Sequence, residues 1–106
     1  MDTIFIEKRI EDVVREYARL VSKIYNLSEV YLYGSYAKGQ NTIDSDIDIA
    51  LISYDFGDDM LDNMLVLMQI RRKVDSRIEP HPFHKSDFDI SDPFVKEILN
   101  TGIRII

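Results

Sequence analysis

Residues 30–52 constrain the fold of this chain more than any other stretch. The segment reads VYLYGSYAKGQNTIDSDIDIALI, with an apolar run at residues 30–33 and an alternating run at residues 46–52. Both runs are typical of β-strands. The polar segment between them can hold about one helical turn, which we expect Ser35 to cap and Gly39 to end. The sequence therefore predicts a strand, a tight turn, a short helix, a loop and a second strand.

The second of these strands carries two carboxylates. Because side chains alternate along a strand, Asp46 and Asp48 are expected on one face and Ile47 and Ile49 on the other. At about 6 Å and an effective dielectric constant of about 20, two unpaired negative charges repel by roughly 3 kcal/mol. A hard divalent cation such as magnesium would remove this repulsion and still bind water and phosphate. The pair is thus a candidate metal-assisted phosphoryl- or nucleotidyl-transfer site, although such a pair taken alone more often consists of two solvated carboxylates on an edge strand.

The turn after the first strand, Gly34-Ser35, suits a phosphate group. A glycine at the end of a strand lets a ligand approach the backbone, and a serine that starts a helix offers a hydroxyl and a free amide. Lys38 and Arg77 are the cations nearest to this motif. They are candidates for contacts with a triphosphate, and their alternative role is that of ordinary surface residues.

With these residues the chain resembles the DNA polymerase beta-like nucleotidyltransferases, whose signature is Gly-Ser, ten intervening residues and Asp-x-Asp. Gly34-Ser35, the segment YAKGQNTIDS and Asp46-Ile47-Asp48 match that spacing without insertion or deletion. The resemblance implies that Gly34 and Ser35 bind a nucleoside triphosphate. It also implies that Asp46 and Asp48 ligate two magnesium ions.

The family also has a third carboxylate, commonly an aspartate, on the strand beside Asp-x-Asp. Here the candidate strand is residues 76–83, SRIEPHPF, which its two prolines limit to an edge or to a strand end. Alternation puts Arg77, Glu79 and His81 on one face. Glu79 is the best match for the third metal ligand, which would help to activate the attacking hydroxyl. Asp75, at the end of the preceding helix, is the alternative.

The remaining segments read mainly as amphipathic helices. Helices are expected at residues 3–26 and 60–74. A further helix is expected to start at Ser91-Asp92-Pro93, with Pro93 at its first position, and to stop at Gly102, followed by a short strand at 103–106. Either Asp58 or Asp59 can cap the second of these helices, whose wide apolar surface either packs across the sheet or is partly left for a partner protein. Together with the resemblance, the pattern predicts an α/β (α+β) palm-like fold with a small mixed sheet and about four helices. The last helix is expected to bury Phe94, Val95, Ile98 and Leu99.

Length and composition limit the classes of function. A chain of 106 residues suits one minimal domain, residues 1–106. Its net charge of −6 argues against non-specific nucleic-acid binding, which needs a basic patch. There is no cysteine, so neither disulfides nor thiol chemistry contribute, and a reducing cytoplasm is expected. No segment has the pattern of a membrane span or a signal peptide.

The resemblance extends over nearly the whole chain to the minimal nucleotidyltransferases of bacteria and archaea. Many of these act as antitoxins paired with a small helical toxin of the HEPN type, and some transfer AMP from ATP to a tyrosine of that toxin. The resemblance therefore implies a magnesium-dependent protein adenylyltransferase. The alternative is a non-catalytic module that inhibits its partner by occlusion. In both cases another chain must supply the acceptor or target, and the oligomeric state stays open.

Overall fold

A four-stranded sheet forms the frame of the molecule. The computed structural model describes residues 7–106. Its strands are β1 (Leu27–Tyr33), β2 (Ile47–Ser53), β3 (Ile78–His84) and β4 (Ile103–Arg104), arranged in the order β3-β2-β1-β4. Strand β2 is antiparallel to β1 and parallel to β3, while β4 pairs antiparallel with β1. The small mixed sheet expected from the sequence is therefore confirmed.

Four α-helices accompany the sheet in the described part of the chain, as predicted. They are α1 (Lys8–Val21), α2 (Ser35–Lys38), α3 (Met60–Arg71) and α4 (Pro93–Thr101). Helix α1 ends before residue 26 because β1 already begins at Leu27 and the chain turns between them; its predicted start at residue 3 lies outside the described residues. Helix α3 ends at Arg71 rather than at residue 74. Within residues 7–106, no helix has both the length and the apolarity needed to cross a bilayer.

The main core lies between the sheet and helices α1, α2 and α3. Because β2 alternates, Ile47, Ile49 and Leu51 all point to this helix face of the sheet and are fully buried. The hydroxyl of Tyr17 in α1 donates to the carbonyl of Leu67 in α3 at 2.8 Å, which satisfies the one polar atom of a fully buried ring. The wide apolar surface predicted for α3 is thus partly used in packing.

The opposite side of the sheet, here called the second face, carries a smaller cluster. Tyr31, Tyr33, Ala50 and Ile52 pack there against Ile98 of α4. Val95 and Ile98 are buried as expected, but Phe94 and Leu99 are each 40% exposed, so the prediction that they are buried was wrong. The reason is that α4 turns Val95 and Ile98 towards the sheet, while Phe94 contacts the rings beside it and stays partly open to solvent.

The turns show which residues begin and end the helices. Ser35 was predicted to cap α2, but it is the first helical residue, and Gly34 occupies the N-cap position. Gly39 ends α2 in the left-handed conformation with φ 70°, as predicted. Asp59 is the residue that caps α3, accepting a hydrogen bond from the amide of Asp62 at 3.0 Å. Asp92 caps α4 in the same way.

Candidate active site

The turn between β1 and α2 brings the backbone against a carboxylate. Gly34 has φ 75° and ψ −151°, a region that only glycine adopts readily. Its neighbour Tyr33 is paired with Asp48 across the antiparallel β1–β2 ladder. A Cβ atom at Gly34 would overlap the Oδ2 atom of Asp48. Glycine is therefore required both by the backbone and by the carboxylate that lies against it.

Two of the three predicted carboxylates stand side by side on the second face. Asp48 on β2 and Glu79 on β3 are partners in the parallel ladder, where Ile47 and Ile78 pair one step earlier. Asp46 was predicted to lie on β2 but lies just before it and is exposed. The first ladder contact at this end is the hydrogen bond from the amide of Ile47 to the carbonyl of Arg77, at 2.8 Å, so the sheet does not fix Asp46.

The electrostatics of this group favour a cation. Burial raises the pKa of the Asp48 carboxyl above its ordinary value; the His81 imidazole acts in the opposite direction, and the charges of Asp46 and Glu79 raise the pKa further. Within residues 7–106, no lysine or arginine forms an ion pair with any of the three carboxylates. Apart from the neighbouring imidazole of His81, the group is therefore a concentration of negative charge that no lysine or arginine of residues 7–106 neutralises.

The donor atoms fit a hard metal ion. Carboxylate oxygens are the ligands that magnesium prefers, and an ion bound to them would relieve the repulsion that raises the pKa of Asp48. As the side chains stand, no three histidine, aspartate or glutamate residues in the described part of the chain are close enough to hold one ion together. All three carboxylates are thus suited to the ion by chemistry, and Asp48 and Glu79 also share a face of the sheet; the three side chains would have to converge on the ion.

Both predicted phosphate-binding cations lie in ion pairs of their own. The Nζ atom of Lys38 donates to Glu97 of α4 at 3.0 Å. Two side-chain nitrogens of Arg77 donate hydrogen bonds to the Asp75 carboxylate at 2.7 and 3.0 Å, and a third donates to the hydroxyl of Tyr36 at 3.3 Å. Hydrogen bonds from Arg77 hold the pKa of Asp75 below its ordinary value. Asp75, the alternative third ligand, is therefore paired with Arg77 instead.

The family of this chain follows from comparison with known proteins. Residues 15–106 match the family model described as "Polymerase beta, Nucleotidyltransferase". The chain belongs to this family. The predicted relationship to the polymerase beta-like nucleotidyltransferases is thus confirmed, and so is the nucleotidyltransferase class.

One relative of this nucleotidyltransferase domain is a "putative protein adenylyltransferase" of Methanocaldococcus jannaschii. The two chains are 35% identical over 46 residues, which make up 43% of this chain and 45% of that protein. The match thus spans less than half the length of the relative.

Solved structures share the fold. A "putative nucleotidyltransferase" from Sulfolobus solfataricus superposes with a TM-score of 0.67 at 20% identity, covering 91% of this chain and 78% of that one. A "toxin-antitoxin with AMP-PNP" gives a TM-score of 0.65 at 23% identity, covering 91% and 72%. A mutant of the toxin-antitoxin MntA-HpeT gives 0.65 at 22% identity with the same coverage. The palm-like fold predicted for this nucleotidyltransferase is thereby confirmed.

An aromatic group borders the carboxylates of this nucleotidyltransferase. The rings of Tyr33, His81 and Phe94 meet pairwise with centroids 5.6 to 5.8 Å apart. Burial, with added repulsion from Asp48 and Glu79, raises the pKa of Tyr33 far above its ordinary value, so its hydroxyl stays protonated as a possible donor. The sequence indicated His81 because it shares a strand face with Glu79. Tyr33 could have been identified because it directly precedes Gly34, but no sequence pattern near Phe94 indicated that it lies at the site.

Proposed function

We propose that this chain is a protein adenylyltransferase that uses magnesium and ATP to transfer AMP to a hydroxyl, specifically a tyrosine, of a HEPN-type toxin, and so acts as its antitoxin in the cytoplasm. The observation that carries the proposal is the carboxylate group Asp46, Asp48 and Glu79, which forms no ion pair with a lysine or arginine among residues 7–106 and adjoins the glycine turn. Such a group suits the binding of a metal-bound triphosphate.

Each residue of the site has a role in this proposal. Because Gly34 has no side chain, its backbone is open to the triphosphate beside Asp48, and Ser35 adds a hydroxyl and an amide. Lys38 and Arg77 contact phosphate oxygens after leaving Glu97 and Asp75, their ion-pair partners. Two cations bound at the carboxylates would neutralise charge on the leaving pyrophosphate.

In the proposed reaction, carboxylates of this chain accept the proton of the acceptor hydroxyl. The oxygen of the acceptor hydroxyl forms a bond to the α-phosphorus as the bond to pyrophosphate breaks, and pyrophosphate leaves. Asp46 together with Glu79 accepts the proton of that hydroxyl. The neighbouring rings of Tyr33, His81 and Phe94 give the acceptor an apolar surface beside the reacting group.

The acceptor comes from another chain. We propose that residues 1–106 act as a single minimal nucleotidyltransferase domain and that the toxin supplies the acceptor hydroxyl. A toxin partner is supported by the fold neighbours described as toxin–antitoxin complexes. One of these is a mutant with two aspartate-to-glutamate changes two positions apart, the spacing of Asp46 and Asp48. Protein as acceptor is supported by the name of the relative from Methanocaldococcus jannaschii.

The first experiment is calorimetric titration of the purified protein with ATP in magnesium, followed by mass spectrometry of the co-expressed toxin for an added AMP. The variant Asp46→Ala with Asp48→Ala should lose magnesium-dependent binding and transfer while it keeps its fold. The matched control is Asp12→Ala, which removes an exposed carboxylate from α1 on the other side of the sheet. Persistent transfer by the double variant would contradict the mechanism.

A second candidate function is inhibition by occlusion alone. It is favoured by one observation, namely that no three carboxylate or histidine side chains among residues 7–106 stand close enough to hold a metal ion. In that case the double variant would still neutralise the toxin in cells, and the toxin would carry no added AMP. Loss of neutralisation together with loss of the added AMP would instead support the enzyme.

A further inference from the structure

Helix α3 presents an apolar stripe to solvent. Leu61 is 73% exposed and Leu65 is 57% exposed, although the other side of the same helix buries Leu67 and Ile70 in the main core. Met68 continues the stripe and is half-buried. Two such exposed leucines on one helix are a feature that a partner surface would cover.

The stripe has the spacing of a helix-packing seam. Leu61, Leu65, Met68 and Arg72 are separated by four, three and four residues, which places them along one side of the helix. Leu65 is near the middle of this row. If a second copy of α3 lay antiparallel, Leu65 would meet Leu65 of the other copy and Leu61 would meet Met68.

The charges around the stripe are arranged for the same pairing. Three carboxylates lie at its beginning and three cations at its end; they are Asp58, Asp59 and Asp62, then Arg71, Arg72 and Lys73. Among the described residues, Asp58, Asp62, Arg72 and Lys73 form no ion pair within the chain. An antiparallel second copy sets acid against base at both ends, whereas a parallel one sets like charges together.

We infer that α3 is the interface of a homodimer, in which two copies of this chain pack α3 against α3 antiparallel about a two-fold axis near Leu65. The surface is self-complementary in both shape and charge, as a two-fold interface must be. Although the whole chain carries a net charge of −6, this patch has equal numbers of acidic and basic residues, so its own net charge does not oppose the pairing.

This interface leaves the candidate active site free. Helix α3 packs on the helix face of the sheet, whereas Asp48 and Glu79 lie on the second face. The dimer therefore carries two outward-facing sites, and the inference does not depend on the proposed transfer reaction. A contact made by one helix about 18 Å long is small, so we expect a dissociation constant in the micromolar range.

The test is sedimentation equilibrium of the full chain from about 10 to 500 µM. Arg72→Glu alone and Asp58→Lys alone should each weaken the dimer at least tenfold, because each sets like charges together. The two changes combined in one chain should restore the affinity to within about threefold. Circular dichroism checks that each variant is folded. Monomeric wild type over the whole range, or no recovery by the combined variant, would overturn the inference.

A cross-linking experiment gives a second reading. The chain has no cysteine, so Leu65→Cys creates a single thiol that would face its own copy at the axis. Mild oxidation should join these chains at least tenfold faster than a matched control, Leu99→Cys, whose leucine is 40% exposed on α4. Equal rates would overturn the inference.

Discussion

The two ends of the second face each carry a partly buried carboxylate, and the chain surrounds them differently. At the end where β1 begins, the side chain of Glu29 is 12% exposed and receives hydrogen bonds from Lys85 and from the hydroxyl of Tyr31. Burial alone would raise the pKa of Glu29, but these bonds hold it below its ordinary value. Arg104 adds a further positive charge 3.9 Å away.

At the other end, Asp48 has two carboxylates for neighbours and no cation in an ion pair within the described chain. The pKa of Asp48 is shifted up where that of Glu29 is shifted down. The fold can evidently neutralise a carboxylate on this face, since it does so for Glu29. The difference supports the proposal that a positively charged ligand binds beside Asp48.

The largest effect is expected from Gly34→Ala, which forces the turn away from Asp48. A residue other than glycine in this backbone region costs about 1–3 kcal/mol, and the new methyl group also overlaps the Asp48 carboxylate. We expect a loss of about 3 kcal/mol in the free energy of unfolding, measured by urea denaturation. ATP binding should be lost as well.

Gly39→Ala is the matched control for this change. Gly39 also has positive φ, but nothing lies within 4 Å of the position that its Cβ would take. Its cost should be only the left-handed backbone penalty of about 1–2 kcal/mol. Adding Asp48→Ala to Gly34→Ala should recover part of the stability. Equal losses for the two glycine variants would mean that the contact with Asp48 is unimportant.

The second-largest effect is expected from Lys85→Met, which removes the lysine partner of Glu29, so that this carboxylate, like Asp48, has no lysine beside it. The carboxylate of Glu29 would lose its closest cation, and we expect a loss of about 2 kcal/mol at pH 7. Because the folded pKa of Glu29 lies below the ordinary value of 4.5, its stabilising contribution is present above that value and is lost as the pH falls through the folded pKa. The difference from wild type should therefore shrink in acid.

Lys96→Met serves as the control, because Lys96 is exposed and forms no ion pair with any of residues 7–106. The free energies of unfolding of wild type, Lys85→Met and Lys96→Met are measured by chemical denaturation between pH 3.5 and pH 7. A Lys85→Met penalty that stays constant over this range would show that packing of the lysine stem, rather than its charge, stabilises the Glu29 end.

Much of the fold could be predicted because the clearest local sequence patterns belong to the strands and the turn at the centre of the sheet. The alternation in β2 and the glycine that ends β1 define the central hairpin, and the structure places both as expected. The ends of elements were harder, since they depend on distant partners. Asp46 falls outside β2 because the first ladder bond of Ile47 goes to Arg77, thirty residues further along the chain.

Some contacts of the candidate site could likewise be predicted from local sequence patterns, and others could not. The juxtaposition of Asp48 with Gly34 and Glu79 follows from strand register and could be expected from the family spacing. The pairing of Lys38 with Glu97 and the ring contacts of Phe94 could not, because both depend on where α4 docks. A local pattern predicts which residues share a face, but it does not predict what a later helix brings to that face.

The smallest effect, with the opposite sign, is expected from Asp48→Asn. The folded pKa of Asp48 is raised above its ordinary value of 3.8, so its favourable contribution exists below that value and is lost as the pH rises through the folded pKa. At pH 7 the charged carboxylate therefore destabilises the fold. Removing it should raise the free energy of unfolding by on the order of 1 kcal/mol, a small value because the site is partly open to water.

The pH profile of Asp48→Asn distinguishes charge from packing. The gain in stability should fade as the pH falls through the raised pKa of wild-type Asp48, and Asp44→Asn, which alters an exposed aspartate in the preceding loop, serves as the control. Millimolar magnesium should stabilise wild type more than Asp48→Asn, because the ion supplies the missing counter-charge. If Asp48→Asn were instead less stable than wild type at pH 7, the carboxylate would already have a favourable partner, and the contrast with Glu29 would no longer indicate a ligand site.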